Sequence, residues 1–158
     1  MRVAVLTVSD SVSRGEYEDR SGPAVGDFCR ARLWTVGVSA VVPDEREQIE
    51  GRLREWADSG AYDVLLTTGG TGIGPRDLTP EATTALCQRL IPGLAEEMRR
   101  RGVQSTPRAV LSRSVAGVRG TTLIVNLPGS PKGAVESLAA IADLLPHCAK
   151  VVRGARHE

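Results

Sequence analysis

The residues best suited to chemistry stand in one stretch, Gly69-Gly70-Thr71-Gly72-Ile73-Gly74-Pro75-Arg76-Asp77. Four glycines in six positions let backbone amides approach an anion with no Cβ in the way. A helix that follows such a loop adds the positive end of its dipole. The spacing matches neither common phosphate fingerprint. No Gly-Lys-Ser/Thr closes the loop, and Gly70 and Gly72 lead to Pro75 where Gly-x-Gly-x-x-Gly needs a third glycine. The stretch is therefore either a phosphate cradle or a tight turn. Asp77 would repel a phosphate unless magnesium lies between them, because magnesium is commonly held by one or two carboxylates plus substrate phosphates. Otherwise Asp77 pairs with Arg76 or caps backbone amides. Asp44, three residues before Glu47, reads as a helix N-cap, a role compatible with facing a metal. Arg76 and Lys132 can grip phosphate or remain solvated charge. Asn126 is the only asparagine in the chain, and it bonds a ligand or satisfies a turn. Ser112-Arg113-Ser114 offers hydroxyls and a guanidinium beside a chain reversal, or ordinary helix-end chemistry with Arg113 on the dipole. Arg99-Arg100-Arg101 reads as a basic last turn. His147 and His157 have no partner spacing and receive no catalytic role.

The whole chain narrows the function classes. It has 158 residues, with Lys+Arg 20 against Asp+Glu 19 and a formal net charge of +1. That balance argues against a general nucleic-acid binder. Aromatic residues make up 3 % and all lie in the first half, so no aromatic interleaving exists for stacking bases. The hydrophobic 41 % and charged 25 % are those of an ordinary globular protein. Cys29, Cys87 and Cys148 have no ligand spacing and read as reduced thiols of a cytoplasmic protein. The apolar run at the start is too short for a leader and meets Asp10 at once. No run reaches membrane-spanning length.

The elements that must position these residues follow from periodicity. Val3 to Val8 reads as a strand buried on both faces, followed by a polar loop from Ser9 to Gly22. Pro23 opens a helix, and 36–42 is a strand ended by Pro43. Ile49, Leu53, Trp56 and Ala57 mark one helix face. Residues 63–68 form a strand that runs into the glycine loop, and Thr79-Pro80-Glu81 caps the next helix. Ile91-Pro92-Gly93 interrupts it before a helix continues to Gly102. A short helix from Thr106 to Ser112, a short strand over 115–118 and a strong strand over 121–126 come next. The last long helix carries Val135, Leu138, Ala142 and Leu145, and Pro146 kinks or breaks it. Strands alternating with helices predict one α/β domain over 1–158, a three-layer sandwich whose mostly parallel sheet is covered by helices on both faces. Ligands bind at the carboxyl ends of strands in such a sheet. That places Ser9-Asp10, Pro43-Asp44, Gly69 to Asp77, and Asn126 to Lys132 around one site.

Together these loops resemble a known family. Thr7-Val8-Ser9-Asp10, Asp19-Arg20-Ser21-Gly22-Pro23, Val42-Pro43-Asp44-Glu45, Thr68-Gly69-Gly70-Thr71-Gly72, Pro75-Arg76-Asp77-Leu78-Thr79-Pro80-Glu81-Ala82, Leu111-Ser112-Arg113-Ser114 and Asn126-Leu127-Pro128-Gly129 occur in this order. The set resembles the molybdopterin adenylyltransferase family, the bacterial MogA and MoaB type proteins and the equivalent domain of gephyrin. The resemblance implies the molybdenum cofactor biosynthesis protein fold, assembled as a homotrimer. It implies AMP transfer from magnesium-ATP to the terminal phosphate of molybdopterin, with release of pyrophosphate. The product would pass to a downstream molybdate-inserting protein. The resemblance makes Asp44 and Asp77 the essential acids, as magnesium holders. It puts Gly69, Gly70, Thr71 and Gly72 on the nucleotide, with Ser9, Asp10 and Arg76 beside them. It puts Ser112 on the pterin, with Asn126, Pro128, Gly129 and Lys132 lining that side. Glu96 falls at a position often acidic in bacterial members, after Ala95 where the family commonly has Gly or Leu. Two other functions are carried beside the enzyme: a MoaB-type paralogue that binds pterin or nucleotide without adenylylation, and a non-catalytic interaction scaffold. The presence of both acids favours the enzyme, and the short chain argues against the scaffold.

Overall fold

Successive strand side chains point to opposite faces, and both faces of this sheet are apolar. Val3 and Val5 join Val64, Leu66, Leu123, Val125 and Leu127 in one core, while Ala4 and Leu6 join Leu65 and Ile124 in the other. Such strands need helices on both sides. A computed structural model describes residues 1–156 and supplies them; His157 lies outside the described residues. The elements are β1 (Arg2–Val8), α1 (Asp10–Ser13), α2 (Ser21–Ala31), β2 (Thr35–Val42), α3 (Arg46–Asp58), β3 (Val64–Thr68), α4 (Thr79–Leu86), β4 (Arg89–Leu90), α5 (Pro92–Gly102), β5 (Ala116–Arg119), β6 (Thr122–Leu127), α6 (Pro131–Ile141) and α7 (Leu145–Val152). Short 3-10 turns cover Pro107–Leu111 and Ala142–Leu144.

The strand order is β2-β1-β3-β6-β5-β4. β2, β1, β3 and β6 run parallel, and β5 and β4 add an antiparallel edge. Helices α2, α5, α6 and α7 cover one face through Val25, Leu94, Met98, Leu138 and Leu145. Helices α3 and α4 cover the other through Ile49, Leu53, Trp56 and Leu86. The expected three-layer α/β architecture is therefore present. Strand β1 sits between β2 and β3, so the chain reverses its lateral direction between β1 and β3. The crevice above that switch point is where open α/β sheets bind ligands.

At the opposite end of the strands the anchor is Asp63, a buried carboxylate. It accepts the Arg2 amide at 2.7 Å and the Arg2 guanidinium at 3.1 Å, and it pairs with Arg153. One side chain thus ties the start of β1, the entry to β3 and the residue after α7.

Several elements differ from the sequence reading. Ser9 to Gly22 is not all loop: Ser9 accepts the Val12 amide at 3.2 Å and starts α1. Helix α2 starts at Ser21, with Pro23 inside its first turn, where an N–H would be unpaired in any case. Helix α4 stops at Leu86, and Arg89 and Leu90 pair with Val118 and Gly117 of β5. A two-residue strand has no periodicity of its own; here Gly117 admits the Arg89 carbonyl so closely that a Cβ would lie 2.7 Å from it. Pro146 does not break the last helix. The break falls over Ala142–Leu144, and Pro146 sits in the first turn of α7.

Asn126 also departs from its expected place. It is fully buried, and its side chain spends its bonds inside the protein. Oδ1 accepts the Val115 amide at 3.2 Å, and Nδ2 donates to the hydroxyls of Thr67 at 3.1 Å and Thr83 at 2.9 Å. The expectation that it contacts a pterin is corrected: it ties β6 to β3, to α4 and to the segment that enters β5. Asn126→Ala strands an amide and two hydroxyls and opens a cavity. It should lower unfolding stability by about 3 kcal/mol, read from urea denaturation. A change within about 0.5 kcal/mol, typical of surface positions, would show that these bonds are replaceable.

Candidate functional site

Three chain segments meet above the switch point. After β3, Gly69 and Gly70 take left-handed backbone angles, with φ of 94° and 68°, which glycine adopts without strain. A Cβ on Gly69 would collide with the Val8 carbonyl oxygen that ends β1. The Gly69 amide donates to the Leu127 carbonyl at the end of β6 at 3.1 Å, and a Cβ on Gly129 would lie 3.3 Å from the Gly69 Cα. Thr79, expected to cap α4, is instead its first residue. Its hydroxyl donates to the Gly69 carbonyl at 3.0 Å.

The acids lie on the rim of this junction. Asp44 does not cap α3; Glu45 holds the cap position and makes no side-chain cap bond. The Asp44 carboxylate accepts the Asp10 amide at 2.9 Å, and the Asp44 amide donates back to Asp10 Oδ1 at 3.0 Å. This reciprocal pair locks the loop after β1 to the loop after β2. Arg76 closes it from outside, with Nε and Nη2 on Asp10 at 2.9 and 3.0 Å and Nη2 on Glu45 at 2.8 Å. Its guanidinium therefore braces acids in this structure, where the sequence reading gave it to phosphate. Asp77 accepts the Gly74 amide at 2.9 Å. A Cβ on Gly72 or Gly74 would lie 2.8 or 2.9 Å from its Oδ2, and one on Gly70 would lie 3.2 Å from Asp44 Oδ1. The glycines thus bring loop backbone against both carboxylates.

The charges bias one another. Hydrogen bonds from Arg76 hold the Asp10 carboxyl below its usual range, against the opposing effect of its partial desolvation. Burial pushes Asp44 up; the Asp10 amide pulls it back, and the charges of Asp10 and Asp77 push it up again. A divalent cation beside Asp44 and Asp77 would reverse that penalty, so these residues fit one. Among the described residues no group of three or more His, Cys, Asp or Glu could hold a metal. Two carboxylates that need substrate oxygens to complete the shell match the habit of magnesium.

Two cavities flank the glycine loop. A polar one of about 550 Å³ is lined by Ser9, Asp19, Asp44, Gly69, Gly70, Asp77 and Gly129, among others. An apolar one of about 270 Å³ is lined by Thr71, Gly72, Met98, Ser112 and Pro128, among others. Consecutive loop residues thus serve opposite cavities: Gly69 and Gly70 the polar one, Thr71 and Gly72 the apolar one. The family resemblance implies that all four meet the nucleotide. Lys132 lies outside both, 80 % exposed and 3.8 Å from Glu136. The Ser112 hydroxyl donates to Ser114 at 3.0 Å.

Arg113 has a larger role than its place beside two serines predicts. It is not at a helix dipole. Its amide donates to the Thr71 carbonyl at 2.8 Å, Nε to the Gly72 carbonyl at 2.7 Å and Nη2 to the Asp77 carbonyl at 2.7 Å, and Nη1 pairs with Glu81. One guanidinium fork therefore fastens both ends of the Gly72–Asp77 turn to the segment that carries Ser112. Arg99 lies in the basic last turn of α5, as expected, and from there donates to the Ser112 and Ser114 carbonyls at 3.2 and 3.0 Å. The signal for Arg113 is an arginine between two serines and for Arg99 a run of three arginines, patterns with many ordinary meanings.

Known proteins resemble this chain over nearly its whole length. The family model described as a probable molybdopterin binding domain matches residues 4–147. A molybdopterin adenylyltransferase of Helicobacter pylori is 41 % identical over 156 residues, covering 98 % of this chain and 89 % of that protein. The molybdopterin adenylyltransferase of Escherichia coli K12 is 36 % identical over 168 residues, covering 98 % and 86 %. The crystal structure of the molybdopterin biosynthesis enzyme MoaB from Thermus thermophilus superposes with a TM-score of 0.91 at 52 % identity, covering 99 % of each chain.

Two measurements test the site as built. A carboxyl whose folded pKa lies above its unfolded value binds its proton more readily when folded. Its ionisation therefore costs stability above that range, and the cost vanishes as pH falls below it. Asp44→Asn keeps an acceptor for the Asp10 amide and removes the charge. It should raise the thermal midpoint at pH 7 and give no gain below about pH 3; a lowered midpoint at pH 7 would contradict this account. Arg113→Lys cannot reproduce the fork. Loss of one charge-assisted bond, about 1.5 kcal/mol, should speed amide exchange over 72–77 by about tenfold and leave β3 unchanged.

Proposed function

Because this chain belongs to the probable molybdopterin-binding domain family, we propose that it is a molybdopterin adenylyltransferase of molybdenum cofactor biosynthesis. The observation that carries the reading is the placement of two unlike cavities on either side of one glycine loop. The flat faces of a planar pterin suit the apolar cavity, and the triphosphate end of ATP suits the polar one. The reacting groups then meet at Gly70-Thr71, where the loop passes from one to the other.

The chemistry asks little of the protein beyond placement. An oxygen of the molybdopterin phosphate attacks the α-phosphorus of ATP, forming a new P–O–P bridge. The bond from that phosphorus to the oxygen it shares with the β-phosphorus breaks, and pyrophosphate leaves with the electron pair. The nucleophile is already anionic, so no serine, cysteine or histidine nucleophile is required. In-line positioning and charge neutralisation supply the rate. Asp44 and Asp77 would hold magnesium, which supplies Lewis-acid neutralisation of the phosphate oxygens when bound. The glycine-loop backbone and Ser9 line the polar cavity; Gly129 packs against Gly69 and sets its width. Ser112 and Pro128 line the apolar one.

A homotrimer, a cytoplasmic location and delivery of the product to a molybdate-inserting protein complete the proposal. The trimer and the delivery rest on membership of the family, and the state of the cysteines supports the location. None of the described helices is long and apolar enough to cross a membrane. The cysteines are unbonded. Burial pushes the Cys29 and Cys87 thiols up to about 11, which keeps them protonated and unreactive.

The test is direct. Incubation with molybdopterin, ATP and magnesium should yield adenylylated pterin and pyrophosphate in equal amounts. Asp77→Asn should lower the rate by about 100-fold or more with an unchanged sedimentation profile. Binding of both ligands without turnover in the wild type would overturn the catalytic reading, and normal turnover by Asp77→Asn would remove that carboxylate from the machinery.

A further inference from the structure

Three charged side chains line the apolar cavity: Arg99, Arg108 and Glu136. Arg99 is committed to two carbonyls, and a guanidinium can only donate. The lining hydroxyls are mostly engaged as well. Ser112 and Ser114 bond each other at 3.0 Å, Ser130 accepts the Gly133 amide at 3.0 Å, and Thr106 accepts the Arg108 amide at 3.3 Å. Glu136, on α6, is the one carboxylate among the described lining residues. Its pairing with the exposed Lys132 spans 3.8 Å, a geometry worth little in solvent and one that leaves the carboxylate free to accept.

A half-buried carboxylate on the wall of a largely apolar cavity, whose other charged groups can only donate, suits a flat ligand that presents two neighbouring donors. A pterin has such an edge, in its ring N3–H and its 2-amino group. We propose that Glu136 is the specificity-determining residue for the pterin, its two oxygens accepting from N3–H and from the 2-amino group. The proposal rests on molybdopterin being the substrate. The pairing is the mirror of an arginine fork on a carboxylate, two parallel bonds that fix orientation as well as affinity. In an apolar cavity a ligand that cannot complete the pair leaves a polar group unmatched, and this is what makes such a site selective.

Fluorescence titration with 6-hydroxymethylpterin and with its 2-oxo counterpart, 6-hydroxymethyl-lumazine, tests this without ATP. The lumazine presents a carbonyl where the pterin presents its amino group. The wild type should prefer the pterin by about tenfold or more. Glu136→Gln should reduce that preference to about twofold, while Glu55→Gln, an exposed carboxylate on α3, should leave it intact. In turnover, Glu136→Gln should raise the KM for molybdopterin and leave kcat and the KM for ATP near their wild-type values. A variant that merely loosened the fold would weaken both ligands alike and keep their ratio. Retention of the preference by Glu136→Gln, or no pterin preference in the wild type, overturns the proposal. If the preference behaves as expected but no adenylylated product forms, the catalytic reading fails and the role of Glu136 stands.

Discussion

The site hangs on one steric constraint. Strands β1 and β3 lie side by side and end level with each other, so the chain leaving β3 must turn directly beneath the Val8 carbonyl. Only a residue without a side chain passes there, and Gly69 does so in a left-handed conformation. Its amide is held by the end of β6 and its carbonyl by Thr79 at the start of α4. The Gly129 loop closes on it from the other side. Three loops thus take their position from a single backbone unit, and the two cavities open on either side of it.

The acids show why the overall charge of +1 carried so little information. Asp44 lines the polar cavity with the charges of Asp10 and Asp77 close enough to oppose its ionisation. Like charges held this close are tolerated because each is bonded. Asp10 and Asp44 exchange backbone hydrogen bonds, Arg76 braces Asp10, and Asp77 takes an amide of its own loop. The arrangement is fully satisfied at the level of hydrogen bonds and still under electrostatic load, as expected where function takes precedence over stability.

Much of this was legible in the sequence because it is written in local periodicity. The buried strands announce themselves as short β-branched runs, and the helices as faces of Ile49, Leu53 and Trp56 or of Leu138 and Ala142. The carboxyl ends of the strands then pick out the loops after β1, β2, β3 and β6 as neighbours. What stayed hidden depends on partners far along the chain. Asp44 has the spacing of a helix cap, yet its partner is Asp10, 34 residues away. Asn126 has the company of a turn, yet it is spent on Thr67 and Thr83 inside the core. Arg113 grips carbonyls, which carry no side-chain signature at all, and β4 exists only because β5 offers it an edge. No window of residues could display these pairings.

The Asp63 anchor has a consequence of another kind. The carboxylate that gathers the start of β1, the entry to β3 and the end of α7 lies at the end of the sheet opposite the glycine loop. A charged tether therefore closes one pole of the molecule, while backbone contacts around glycine close the other. A side chain that holds three segments by charge tolerates small shifts of each, whereas backbone packed on backbone does not. The loops that carry the acids are thus set by the stiffer of the two fastenings.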